Sequence, residues 1–208
     1  MAAAVLMIGL AVAAMLISLL VWTLLSDTFR IWPTPGPGTW QSYIFWPLFR
    51  GLNVLCVIMA VLDTTGYLGL PAWLRIIAFA ALVISTGLFV YAFRVLGRDN
   101  SYGAQDGLVT RGIYRWSRNP QNAMLVVVYG CLALTTDGGG TYLLCAAMMA
   151  VYVLMVLCEE PWLEGIYGAS FRRYCRRVPR FVNWGRGLIL LQVAAQRCRS
   201  KQYRSKNA

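Results

Sequence analysis

A chain of 208 residues that is 59% apolar, only 13% charged and positive in mean hydropathy has too few charges to cover an ordinary soluble domain, whose charged share is about twice as large. It reads as an all-α integral membrane bundle. The formal charge is +11 and there is no histidine, which excludes Ser-His-Asp hydrolases, Cys-His proteases and every histidine acid–base catalyst.

Apolar runs from Ala3 to Leu25, Tyr43 to Leu62, Ala72 to Phe93, Gln121 to Thr136 and Thr141 to Cys158 bracket the roughly 20 residues that a helix needs to cross hydrocarbon, so about five transmembrane helices are expected. The last two are short enough to require tilt or local thinning. The first run lacks a basic leading segment and is longer than a signal-peptide core, so it counts as a span. Between the first two runs, Trp32 to Gly38 contains three prolines that cannot continue a helix. Gly66 to Pro71 and Asp137 to Gly140 form the other two breaks. These boundaries divide the chain into residues 1–98, the first three helices; residues 99–183, a membrane hairpin with the candidate site; and residues 184–208, a basic interfacial tail.

Charge placement orients the bundle. Arg94, Arg98, Arg111, Arg115 and Arg118 lie between the third and fourth spans, and eleven basic residues lie from Arg172 to Lys206, whereas the loops at Asp63 to Pro71 and Asp137 to Gly140 contain none. Positive loops stay cytoplasmic. The expectation is a multi-pass protein of the cell inner membrane with Ser101, Lys201 and the carboxyl end inside and Met1 outside. The basic tail more simply meets anionic lipid than nucleic acid, and Gly187 to Ala195 is too short for a sixth span and suits the interface. Six cysteines form no CxxC pair, and with histidine absent the common zinc ligand sets are unavailable, so neither disulfide nor metal is expected.

Polar residues crowd both edges of the last membrane hairpin. At the start of the fourth span, Arg118-Asn119-Pro120 combines an N-cap residue with a proline suited to the first helical position. Capping alone accounts for Asn119 and Pro120. The same helix end also presents free N–H groups and a positive dipole to an anion. At the end of the fifth span, Glu159 and Glu160 oppose the helix dipole and do not serve local helix stability. Either can pair with Arg118, snorkel to the interface, or accept hydrogen bonds from a cationic amino group or a ribose. Tyr167, Phe171 and Tyr174 then recur at helical spacing among arginines, as in an amphipathic surface helix. With no proton shuttle available, the chemistry that fits needs positioning above all, such as displacement at an activated carbon.

Two blocks in this region, Leu-Val-Thr-x-Gly-Ile-Tyr-x-Trp-x-Arg-Asn-Pro from Leu108 and Glu-Glu-x-x-Leu-x-x-x-Tyr-Gly-x-x-Phe-x-x-Tyr-x-x-x-Val-Pro from Glu159, keep their spacing and order across a hairpin. From about Asp106 to Pro179 the chain resembles the isoprenylcysteine carboxyl methyltransferase and phospholipid methyltransferase superfamily. The resemblance implies a membrane methyltransferase that uses S-adenosyl-L-methionine at the cytoplasmic ends of the last spans and a lipophilic small molecule or lipid as acceptor. It implies cofactor contacts at Asp106, Gly107, Leu108, Val109, Tyr114, Asn119, Pro120, Gln121, Asn122 and Glu159, with Arg118 and Glu160 as catalytic residues. The first three spans carry none of the resemblance. Departures are also visible. Asn119 and Asn122 replace a His and a Tyr of the family, and Asp106 or its neighbour replaces another His. Met155 stands where the prenylcysteine enzymes place an arginine for the substrate carboxylate, which points to an acceptor with a neutral surface there. The competing readings are a membrane reductase of the sterol-reductase type with a nicotinamide phosphate cofactor, and a non-catalytic membrane scaffold.

Overall fold

The computed structural model describes residues 1–97 and 107–181, and among these it is all helical. The long helices are α1 (Ala2–Leu25), α2 (Trp40–Leu62), α3 (Ala72–Leu96), α4 (Pro120–Thr136) and α5 (Gly139–Tyr167), followed by the short α6 (Ala169–Arg177). A 3-10 turn, Gly112–Arg115, precedes α4. Asp106, Ser101 and the tail from residue 182, with the expected interfacial stretch at 187–195, lie outside the described residues.

Four helices, α1, α2, α3 and α5, are long and apolar enough to cross a bilayer by length and composition. The fifth expected span, α4, has 17 residues, about 25 Å at 1.5 Å per residue, and falls just short of the roughly 30 Å of hydrocarbon. It nonetheless runs the full depth of the bundle. Its first turn lies at the end of α3 that carries Gly97, and its last carbonyls accept hydrogen bonds from Arg75 near the start of α3. Large side chains such as Met7, Ile8, Val57, Ile76 and Ile84 are exposed on the outer faces, as a lipid-facing surface requires.

The core forms where α1, α2 and α5 meet: Leu16 and Leu20 of α1, Phe45 and Leu52 of α2, and Leu144, Met148 and Val151 of α5 are almost fully buried. Gly9 allows α1 to approach α5, since a Cβ there would lie 2.8 Å from the Leu144 methyls. The proline-rich segment at 32–38 is a loop, as expected, and it folds back onto the bundle. Thr39 caps α2 by accepting from the Ser42 N–H, both hydroxyls donate to the Gly36 carbonyl, and Trp32 stacks on Phe45 at 4.9 Å. Helix α3 packs mainly on α4, whereas α2 packs on α1 and α5. A gap is left between α2 and α3.

The two uncharged loops close one end. The Asp137 carboxylate accepts from the Leu68 and Leu70 N–H groups at 3.0 and 2.9 Å and from the Tyr142 hydroxyl, while its carbonyl accepts from the Tyr67 N–H at 2.7 Å. Asp63 accepts from the Gly140 N–H at 2.7 Å. These bonds tie the α2–α3 loop to the α4–α5 turn. Burial raises the Asp137 carboxyl, but the hydrogen bonds from Leu70, Leu68 and Tyr142 and the charge of Arg75 outweigh it and hold it below the usual carboxylate range.

Candidate functional site

At the opposite end the chain builds a cavity of about 640 Å³. The stretch Gly107 to Arg118, the start of α4, the last turns of α5, and α6 enclose its polar side. Gly112, at φ 59° and with Val95 3.2 Å from where a Cβ would stand, lets this stretch turn tightly against α3. Helix α6 then folds over it. Phe171, Tyr174 and Val178 bury against Leu108, Leu163 and Tyr167, and the Tyr174 hydroxyl donates to the Tyr114 carbonyl at 2.6 Å. The expected amphipathic helix is present, and its apolar face packs on protein.

The adjacent acids have different surroundings. Glu160 is buried and takes hydrogen bonds on both oxygens: Arg118 reaches it at 3.0 Å, Arg180 at 2.8 Å and the Asn119 amide at 3.2 Å. Arg118 also donates to the Cys175 carbonyl, and its backbone N–H bonds to the Pro179 carbonyl, as that of Asn119 does to Arg180. The segment after α6 is therefore stitched to the start of α4 by backbone and side chain together. Asn119 occupies the N-cap position, but its side chain makes no cap bond; it donates to Glu160 and to the Arg180 carbonyl. Capping does not account for it.

Glu159 is half-buried and lines the cavity. Near it lies Trp32, whose buried indole N–H forms no hydrogen bond of good geometry. This N–H faces the Glu159 carboxyl, so the loop before α2 and the end of α5 meet at the cavity. The Tyr114 hydroxyl is held well above the usual phenol range by burial and then by the neighbouring Glu159 carboxyl. It stays protonated and can donate.

Of the twelve residues expected at the site, ten line this one cavity: Gly107, Leu108, Val109, Tyr114, Arg118, Asn119, Gln121, Asn122, Glu159 and Glu160. Pro120 is buried at the first position of α4, away from the lining, and Asp106 falls outside the described residues. The resemblance, confined to about Asp106 to Pro179, missed the other wall. Trp32, Trp46, Phe49, Arg50 and Asn53 from the first loop and α2, together with Phe89, Phe93 and Leu96 from α3, line the cavity's apolar side. Arg50, a charge inside an apolar run, is the residue of that wall that sequence reasoning could have singled out. Met155 is buried on α5 and lines the cavity. Deeper still, Asn53 accepts from the hydroxyls of Tyr129 and Tyr152.

Comparisons with known proteins agree with the resemblance. The phospholipid methyltransferase family model matches residues 73–170, beginning in α3 and so reaching earlier than the two motif blocks. The chain is 26% identical over 137 residues to a phosphatidylethanolamine N-methyltransferase of Aspergillus clavatus, covering 65% of this chain and 13% of that protein. It is 29% identical over 101 residues to the enzyme of the same name from Talaromyces marneffei, covering 46% and 10%. With that of Aspergillus terreus it shares 30% over 76 residues, covering 36% and 8%. The chain thus spans only about a tenth of the length of these relatives. No solved structure matches.

Proposed function

From the membership of this chain in the phospholipid methyltransferase superfamily, we propose that it transfers a methyl group from S-adenosyl-L-methionine to the headgroup nitrogen of an amine-bearing membrane lipid. The observation that carries the reading is the cavity itself, because one continuous space has a polar wall from the motif blocks and an apolar wall from α2 and α3. The nitrogen comes from the relatives, which are phosphatidylethanolamine N-methyltransferases. Met155, an uncharged side chain in the cavity, fits such an acceptor better than a carboxylate.

The residues present suit the cofactor. The carboxyl of Glu159, the buried indole N–H of Trp32 beside it and the backbone of Gly107 to Val109 form a mixed donor and acceptor set able to hold an amino acid end and a ribose. When bound, the cofactor supplies an electrophilic methyl on a sulfonium and departs as a neutral thioether. Glu159 accepts from its hydroxyl or amino groups. The protonated Tyr114 hydroxyl and the Asn122 amide donate. Arg118 and Asn119, held by Glu160, fix the position of the polar wall; Glu160 acts on the reaction through them and is a positioning residue. Rigid placement of the two reactants is the main source of rate enhancement here.

Isothermal titration of detergent-purified protein with S-adenosylhomocysteine, alongside reduced nicotinamide phosphate, tests the cofactor. Transfer of labelled methyl into phosphatidylethanolamine vesicles tests the acceptor. Binding of the nicotinamide alone would overturn the reading in favour of a reductase. The site end faces the cytoplasm in this reading, and a cysteine introduced at Ser101 on a cysteine-free background is expected to resist labelling from outside intact cells.

A further inference from the structure

Arg50 is a charge placed well inside an apolar helix. It lies ten residues beyond the start of α2 at Trp40, about 15 Å along the axis, in a helix apolar enough to span a bilayer. No carboxylate of the described residues lies within ion-pair distance of it, and its guanidinium carbon stands 5.2 Å from the centroid of the Trp46 ring. A guanidinium at this depth is costly unless an anion or a water-filled space meets it, and for that reason intramembrane arginines mark function. Arg50 lines the cavity together with Val54 one turn deeper and with Phe89 and Phe93 across the gap. Side chains lean toward the amino end of their helix, and for Arg50 this direction, along Trp46, is toward the end of the bundle that carries Glu159. The gap between α2 and α3 therefore has apolar walls below and, above, a cation that pairs with no carboxylate of the described residues.

We propose that Arg50 binds the phosphate of a glycerophospholipid whose acyl chains lie between α2 and α3, and that it thereby selects phosphate-bearing acceptors. The proposal rests on the methyltransferase reading for the word acceptor, but not for the binding. A two-chained lipid fits because the gap opens sideways, where α2 and α3 do not pack together, onto exposed Val54 and Val57. With the phosphate on Arg50, a headgroup of a few atoms extends toward the polar wall. Arginine suits a phosphodiester because its planar fork offers two parallel donors.

The test uses the full chain in detergent with a fluorescent phosphatidylethanolamine as tracer, displaced by dioleoyl phosphatidate or by dioleoylglycerol, which lacks the phosphate. The wild type is expected to favour phosphatidate by about tenfold or more, equivalent to one well-made charge-assisted contact. Arg50→Gln should abolish that preference, Arg50→Lys should keep part of it, and S-adenosylhomocysteine affinity should not change in either. Val54→Trp, which fills the gap, should weaken displacement by both lipids. A phosphatidate preference that survives in Arg50→Gln overturns the proposal. So does a fall in S-adenosylhomocysteine affinity with lipid binding unmoved, which would assign Arg50 to the cofactor carboxylate. A phosphate preference lost in Arg50→Gln, in a protein that moves no methyl group, would uphold the binding site and sink the methyltransferase reading instead.

Discussion

The two ends of this bundle each bury carboxylates and put them to opposite uses. At one end Asp63 and Asp137 accept from the backbone N–H groups of Gly140, Leu68 and Leu70, and these bonds tie the two loops together. At the other, Glu160 gathers Arg118, Arg180 and Asn119, while its neighbour Glu159 faces a cavity. Backbone donors are fixed in place and lock a turn. Long cationic side chains span distance and can hold walls apart around a space. The difference shows how one fold keeps a rigid end and a receptive end.

The comparison can be broken most severely at the closed end. A Cβ at Gly138 would stand 2.0 Å from the Asp63 carbonyl oxygen, so Gly138→Ala forces backbone apart and should destabilise by more than about 4 kcal/mol, seen as loss of folded protein in detergent thermal melts. At the open end, Glu160→Ala leaves Arg118, only 12% exposed, without its anion. The expected loss is about 3 kcal/mol, read by the same melts, with cofactor affinity falling as the wall loosens; unchanged stability would show that the cluster holds nothing together.

Glu159→Ala sharpens the contrast between the adjacent acids. It should barely move the melting temperature yet weaken S-adenosylhomocysteine binding by roughly tenfold to a hundredfold, the value of one charge-assisted hydrogen bond of about 1.5–3 kcal/mol. Equal affinity in a folded variant would mean that the carboxylate only faces the cavity. The smallest effect concerns acid. Asp137 has a folded-state value below the usual carboxylate range, so its stabilisation is complete above the unfolded value and fades as the pH falls through the folded one. Asp137→Asn should lower stability at neutral pH and flatten the acid limb of the melting curve, whereas a parallel pH profile in the two proteins would show that another group causes the acid loss.

Reading along the chain recovers what local chemistry dictates. Four of the five apolar runs gave helices within a few residues of their ends, because in lipid each backbone group must bond within its own segment; the last, read as short and ending at Cys158, continues through Glu159 and Glu160 to Tyr167. The Leu108 to Pro120 and Glu159 to Pro179 blocks located the polar wall, since they set polar and charged residues at the ends of apolar helices. Only the tertiary structure decided which of two adjacent acids faces the cavity and which braces its wall. Glu159 and Glu160 are indistinguishable by propensity, and a rotation of about 100° per helical residue turns one toward the cavity and the other toward Arg118 and Arg180. It also decided that Asn119 serves the ion cluster and not the helix cap. The apolar wall was hidden for a related reason: Trp46, Phe49, Phe89 and Phe93 look like any lipid-facing aromatics until the packing of α3 on α4, away from α2, leaves a gap for them to line.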